Sequence, residues 1–278
     1  MVLMGSGESR LTIRGYNMNI VGKNIWIIGA SMGIGNALAK ELATYTKNLV
    51  ISSRKEALLE GLAEEINLPS ENIIPFDITH YEEAKEATNK VIGLMGNIDC
   101  VIFTAGVSQR SLIADTQFSV YERLVKLNYL SIINISLAIL PLMVEKKSGH
   151  FVVLSSIAGK FGTPDRSGYS ASKHALHGFF ESLRAEHTKD HINVTLVCPG
   201  FINTDITMRS LTGNGSAYQH IDNELVHGMP VNLCAKKIIK AIIGKKREIY
   251  PGGKEVIGVY LNRFFPRLLQ RIVSLKRK

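Results

Sequence analysis

Short apolar runs alternate with amphipathic stretches along most of this chain, and the two patterns have different periods. Residues 24–28 form an apolar run that ends at Gly29, which predicts a buried strand. Residues 34–45 then repeat apolar positions at helical spacing, with Ile34, Ala37, Leu38, Leu42 and Tyr45 on one face. The alternation continues. Strands are predicted over 49–51, 72–76, 99–103, 150–154, 192–197 and 247–250, and helices over 55–66, 81–95, 121–146, 169–187 and 231–243. The helix over 121–146 carries Pro141, a candidate bend or stop. Several strands are apolar without alternation, as a sheet covered on both faces requires. Together these elements predict an α/β, doubly wound domain: a parallel sheet of about seven strands with helices on both faces.

Composition fits that reading. A chain of 278 residues that is 45% hydrophobic has enough apolar material for one large domain. Residues 1–17 are rich in Gly, Ser and Arg and read as a tail or an added remnant, so that the domain spans 18–255. They lack the apolar core of a signal peptide, and no apolar run in the sequence reads as long enough to span a bilayer. Cys100, Cys198 and Cys234 have neither metal-ligand spacing nor an even framework, and no metal is expected. The simplest setting for them is reducing and cytoplasmic. The net charge of +9 is uneven: from Lys236 to the end there are thirteen Lys/Arg against two Glu, which leaves −2 for the rest. A basic stripe across the domain body, the mark of a nucleic-acid binder, is therefore not expected.

Three local patterns carry chemistry. Tyr169 and Lys173 lie four apart in a predicted helix, so they share a face. An ammonium beside a phenol favours the phenolate and lowers the phenol pKa toward the range of a general acid or base. Taken alone, such a pair is more often two surface neighbours, by roughly 10:1. Gly29, Gly33 and Gly35, with Ser31, Met32 and Ile34 between them, lie between the first strand and the first helix. There glycine lets backbone N–H groups approach a pyrophosphate at a helix N-terminus. After the second strand, Ser53 and Arg54 stand where an acid would take an adenine-ribose 2′-hydroxyl. An arginine there attracts a 2′-phosphate, so NADP is expected over NAD.

With these residues in place, the chain resembles the short-chain dehydrogenase/reductase family from about Asn24 to about Tyr250. The glycine turn matches the family's cofactor turn, and Asp77, followed by Ile78, matches its acid after the third strand. Phe103-Thr104-Ala105-Gly106 stands where the family often has Asn-Asn-Ala-Gly, so the first asparagine, which clamps strands in the family, is missing, and Ile28 stands where it usually has Thr. Asn128, Ser156 (thirteen positions before Tyr169), Tyr169 and Lys173 match its catalytic set, and 199–204 matches the segment beside the nicotinamide, with Pro199, Gly200, Ile202 and Thr204 as contacts. The resemblance implies hydride transfer between NADPH and a carbonyl, with Tyr169 as proton donor and Ser156 orienting the carbonyl oxygen. Lys173 would tune the phenol and hold the ribose, and Asn128 would anchor a water. The segments 105–112 and 169–180 look like the branch holding steroid and retinoid dehydrogenases and carbonyl reductases, which implies a small apolar carbonyl substrate. A 3-oxoacyl or 3-ketosphingoid reductase is the alternative enzyme, and a silent NADP-binding regulatory module the alternative of another class. Relatives commonly pair, which implies a homodimer or homotetramer.

Two segments remain. Residues 205–230 lack periodicity and follow the nicotinamide segment, so they are a candidate substrate lid. Met208, Leu211, Tyr218 and Met229 are its candidate pocket residues, and His220 and His227 are expected at its rim. Residues 256–278 form a basic amphipathic extension, with Leu261, Phe265, Leu268, Leu269, Ile272 and Leu275 at helical spacing and Arg263, Arg267 and Arg271 on other faces. Such a helix suits peripheral contact with an anionic membrane, or packing on its own domain.

Overall fold

A computed structural model describes residues 20–275; the expected N-terminal tail at 1–17 and Met18 lie outside the described residues. Six strands form one parallel sheet in the order β2-β1-β3-β4-β5-β6. They are β1 (Ile25–Ile28), β2 (Leu49–Ser52), β3 (Cys100–Phe103), β4 (Gly149–Leu154), β5 (Ile192–Val197) and β6 (Glu248–Ile249). Side chains alternate between two cores. Trp26, Phe103, Phe151 and Val194 meet α3 (Tyr81–Met95), α5 (Ser131–Glu145) and α6 (Ser167–Glu186) on one face. Ile25, Ile27, Ile51 and Val152 meet α1 (Gly33–Leu42), α2 (Glu56–Ile66) and α8 (Val231–Ile243) on the other. Burial on both faces is why the strands read as continuous apolar runs.

One expected strand does not form. Over 72–76 only Ile73 bridges Ile51, with Ile74 N–H donating to Ile51 at 3.1 Å and Phe76 N–H to Ser53 at 3.2 Å. Pro75, between them, faces away from β2, where a missing N–H suits an outer edge, and the segment runs beside β2 as a single bridge rather than a ladder. The sheet therefore has six strands where about seven were expected.

The long helix differs too. It starts at α4 (Phe118–Val125) and runs through a π-helical stretch, Lys126–Leu130, into α5 without stopping at Pro141. Pro141 leaves the carbonyl of Leu137 without its helical donor, but Leu137 is 57% exposed and water can serve it. The joined span Phe118–Glu145 is long and apolar enough to cross a membrane, by length and composition only. That corrects the expectation that no apolar run is long enough to span a bilayer. One face of this helix is committed to the sheet through Ile132, Ile135, Ile139 and Met143.

His150 enters the fold neutral. It is buried on β4, its Nε2 lies 2.8 Å from the Thr195 hydroxyl, and burial lowers its pKa from 6.5 to about 4. The unfolded chain binds that proton below 6.5 and the folded one does not, so its contribution is present above 6.5 and is lost as pH falls toward 4. Urea unfolding followed by fluorescence should show stability falling by on the order of 3 kcal/mol through this group between pH 7 and 4. His150→Gln should flatten that part of the slope.

Candidate active site

The C-terminal ends of β1, β3, β4 and β5 open onto one cleft. At its edge, Gly29 adopts φ +99°, and a Cβ there would lie 2.5 Å from the Ala105 nitrogen. At Gly35 a Cβ would meet the Gly29 oxygen at 2.3 Å. The turn before α1 therefore admits only glycine at both places, and it leaves a cradle of bare backbone at a helix N-terminus, suited to a pyrophosphate. Ser31 and Met32 sit half-exposed in this turn. The Thr104 hydroxyl donates to the Ile28 carbonyl at 3.0 Å and ties the end of β3 to β1, although the family's clamping asparagine is missing at Phe103.

At the end of β2, Arg54 Nη1 lies 3.3 Å from Asp77 Oδ2, and Arg54 remains 60% exposed. Burial raises the Asp77 carboxyl, but the Thr79 N–H and hydroxyl and the Arg54 guanidinium outweigh it and hold the carboxyl below its usual range. Ser53, Arg54 and Asp77 thus stand together as expected. Ile78 does not join them; it is buried in the core on the α3 face.

Asn128 lies in the π-helical stretch, which the Ser131 hydroxyl supports by donating to the Lys126 carbonyl at 2.7 Å. Asn128 takes the N–H of Val107 at 2.9 Å, and its amide donates to the Val107 carbonyl at 2.9 Å and the Ser172 hydroxyl at 3.0 Å. It fixes the segment after β3 to α6, a tethering task that the sequence did not suggest. The Ser156 hydroxyl follows β4 and accepts the N–H of Ala158 at 3.1 Å. Tyr169 and Lys173 lie one turn apart on α6, both buried.

The pair does not interact as its spacing suggests. Lys173 Nζ lies 5.9 Å from the centre of the Tyr169 ring, and its short hydrogen bond, 2.6 Å, goes to the Leu154 carbonyl. Burial pushes the Tyr169 pKa up; the Ser156 hydroxyl and the Arg166 and Arg110 guanidiniums act against it without reversing it. The expected lowering of the phenol by Lys173 is thus corrected: Tyr169 is a protonated phenol. Burial brings Lys173 itself down to about 8.

A cavity of about 110 Å³ joins Ser156, Tyr169 and Lys173 to Ile34, Thr104, Gly106, Pro199, Gly200, Ile202 and Thr204. A larger groove of about 520 Å³ lies between α1 and Asn203–Asp205, but holds none of the four catalytic candidates. The apolar lining of the smaller cavity differs from expectation, and only part of it comes from 205–230. Phe201, Ile206 and Leu225 line it. Leu211 instead packs into a cluster with Tyr169 and Leu124, Met229 packs on the α8 side of the sheet, and Tyr218 stacks edge-on with the exposed His220.

Sequence reasoning missed three supports. Gln109, fully buried, accepts the N–H groups of Gly168 and Tyr169 at 2.8 and 3.2 Å and so satisfies the first turn of α6. Glu255 accepts the Phe201 N–H at 2.7 Å and holds the segment 199–204. Behind the site, His177, Cys198 and Glu248 place ligand-type atoms within 4.8 Å of one another, although they are far apart in sequence. Lys160 stands among them, 2.9 Å from Glu248 and 3.5 Å from His177 Nδ1, so an ammonium already compensates the carboxylate.

A glycine cradle, a half-buried serine beside a buried Tyr-Lys pair and the cleft at the strand ends define an oxidoreductase of the nucleotide-binding α/β class. The short chain dehydrogenase model matches residues 23–214. Dehydrogenase/reductase SDR family member 7B of Xenopus laevis is 34% identical over 91% of this chain and 81% of its own length. The SDR family protein 7-like protein of Drosophila melanogaster is 31% identical over 93% and 82%. A short-chain dehydrogenase structure from Streptomyces avermitilis superposes with TM-score 0.75 at 24% identity, over 92% of this chain and all of that one. One from Burkholderia phymatum, in complex with NAD, gives 0.78 at 19%, over 90% and 95%. At those identities the two structures speak for the fold alone. The chain belongs to the short-chain dehydrogenase/reductase family.

Proposed function

We propose that this protein reduces a ketone with NADPH, and that Ser156, Tyr169, Lys173 and Asn128 carry the chemistry. The observation that supports this most is the single cavity in which the Ser156 and Tyr169 hydroxyls and the Lys173 ammonium meet the glycine turn side of the cleft. When bound, NADPH supplies a hydride to the carbonyl carbon. The Ser156 oxygen accepts the Ala158 N–H and its hydroxyl lies against the Tyr169 phenol, so a carbonyl oxygen between the two can take its proton as a hydrogen bond in place of the phenol. Tyr169, kept protonated by burial, gives its proton to that oxygen as it becomes an alkoxide. The phenolate left behind lies in the field of Lys173, Arg110 and Arg166. Asn128 acts by holding the Val107 backbone and Ser172 in register with this group.

NADP is favoured over NAD by Arg54. It is exposed at the end of β2, is oriented by Asp77, and has Ser53 rather than an acid beside it. A 2′-phosphate there would add a charge-assisted contact that NADH cannot make.

The C-terminal extension supports a second reading: peripheral contact with an anionic bilayer. Helices α9 (Ile257–Phe264) and α10 (Pro266–Leu275) bury Val259 and Leu269 against Ile157 and Phe161. They leave Ile257, Tyr260, Phe264, Phe265, Leu268 and Ile272 at 40% exposure or more. Arg267 and Arg271 flank this stripe one turn apart, where lipid phosphates would lie when the apolar side chains enter the interface.

Tyr169→Phe should lower turnover by roughly 10²–10⁴-fold while NADPH still binds, as read by nucleotide fluorescence; retained turnover would sink the catalytic assignment. Arg54→Ala should raise the KM for NADPH by about tenfold or more and leave that for NADH nearly unchanged; a wild-type enzyme that prefers NADH would refute the cofactor reading. In flotation, the full chain should rise with phosphatidylserine-containing vesicles and not with neutral ones. A chain ending at 255 should stay down, and equal flotation of both would exclude membrane contact through α9 and α10.

A further inference from the structure

Two arginines line the cavity that holds Tyr169, and one carboxylate serves both. Arg110, in the segment after β3, donates to Asp222 Oδ2 from Nε at 2.9 Å and also from Nη2. Arg166, just before α6, reaches the same oxygen at 3.4 Å. The side chains are 10% (Arg110), 23% (Arg166) and 15% (Asp222) exposed. Two positive charges against one negative leave an excess cation in a poorly hydrated place, and such a charge is costly unless an anion meets it. Glu224, the other acid acting on Arg166, is exposed to solvent. On the inner side, both guanidiniums act on the Tyr169 phenol, and Lys173 adds a further cation to the same wall.

The geometry suits an oxyanion. Arg110 is aimed: its Nη1 donates to the Ser108 hydroxyl at 3.1 Å and to the Gln109 carbonyl at 2.6 Å, which leaves Nε and Nη2 as a fork toward Asp222. A guanidinium fork matches carboxylate and phosphate oxygens two at a time. Asp222 belongs to the lid segment and immediately precedes the one-turn helix α7 (Asn223–Val226), so it is the partner best able to leave. Phe201, Ile206 and Leu225 form an apolar wall of the same cavity.

We propose that the ketone reduced here carries an oxyanion group, phosphate or carboxylate, that replaces Asp222 on Arg110 and Arg166, with its apolar chain against Phe201, Ile206 and Leu225. The proposal rests on the reductase reading and narrows the substrate from a neutral apolar ketone to an acidic amphiphile. Asp222 is then an internal stand-in: it holds the lid closed over the arginines until an external acid competes for them.

The test measures binding, so it does not depend on turnover. Full-length Tyr169→Phe protein loaded with NADPH is titrated calorimetrically with three probes of equal chain length: a 2-oxoalkyl phosphate, an oxo-fatty acid and an uncharged methyl ketone. At least one acid should bind about tenfold or more tightly than the methyl ketone, and the stronger arm identifies phosphate or carboxylate. Adding Arg110→Gln and Arg166→Gln together should bring acid and ketone within about twofold. Asp222→Asn keeps both arginines and removes the competitor, so it should bind the acid about threefold or more tightly than the parent. The proposal is overturned if none of the probes binds, if acids and ketone bind alike, or if the double variant keeps the preference. Should the double variant not fold, unchanged or weaker acid binding by Asp222→Asn overturns it instead. Failure of the reductase reading would show elsewhere, as carbonyl turnover retained by Tyr169→Phe.

Discussion

The buried ammonium of Lys173 is held by the carbonyl of Leu154, at 2.6 Å, across the end of β4. A charge that far from water demands partners, and the demand organises what surrounds it. The Ser155 hydroxyl donates to the carbonyl of Lys173 at 3.2 Å, and the Asn128 amide reaches Ser172, the next residue on α6, at 3.0 Å. Helix α6 is thereby fastened to the sheet and to the long neighbouring helix at one level. That level is where the glycine turn and the segment after β3 come closest. A Cβ on Gly106 would lie 3.4 Å from Lys173 Nζ. Cofactor cleft and proton donor therefore share one support.

That support explains departures from regularity that would otherwise weaken the fold. A π-helical stretch costs hydrogen-bond geometry, yet it carries Asn128, whose side chain meets both polar groups of Val107. Gln109 is a fully buried amide whose nitrogen is held by the Ser111 and Thr116 hydroxyls, and its oxygen satisfies two N–H groups at the start of α6 that no helical carbonyl can reach. The same short segment, Ser108 to Arg110, also sends a guanidinium to the lid. Neighbouring residues thus hold the start of α6 and tie the segment after β3 to Asp222.

Much of this was legible in the chain, and the limits have physical causes. The helices Tyr81–Met95 and Val231–Ile243 and the strand Ile192–Val197 end where the periodicity ends, because caps and period changes are local signals. The apolar run over 72–76 does lie along β2, but it makes a single bridge there, and how many ladder bonds an edge segment completes is settled by packing rather than by its own pattern. Phe201, Ile206 and Leu225 could not be told from Met208, Leu211 and Met229 by type, since all are apolar and only packing decides which face the cavity. Arg110, Arg166 and Asp222 gave no spacing signal, because they meet across 112 and 56 residues.

The sequence by itself determined the order of strands and helices, the glycine turn that must approach backbone closely, and the residue types that hydride transfer needs. These depend on local backbone conformation and on chemistry that travels with the side chain. Only the tertiary structure decided that Tyr169 is kept protonated by burial rather than lowered by Lys173, that Thr104 clamps β1 to β3, and that two arginines meet one lid carboxylate. Those outcomes turn on desolvation and on contacts between distant segments, which exist only once the chain has closed on itself.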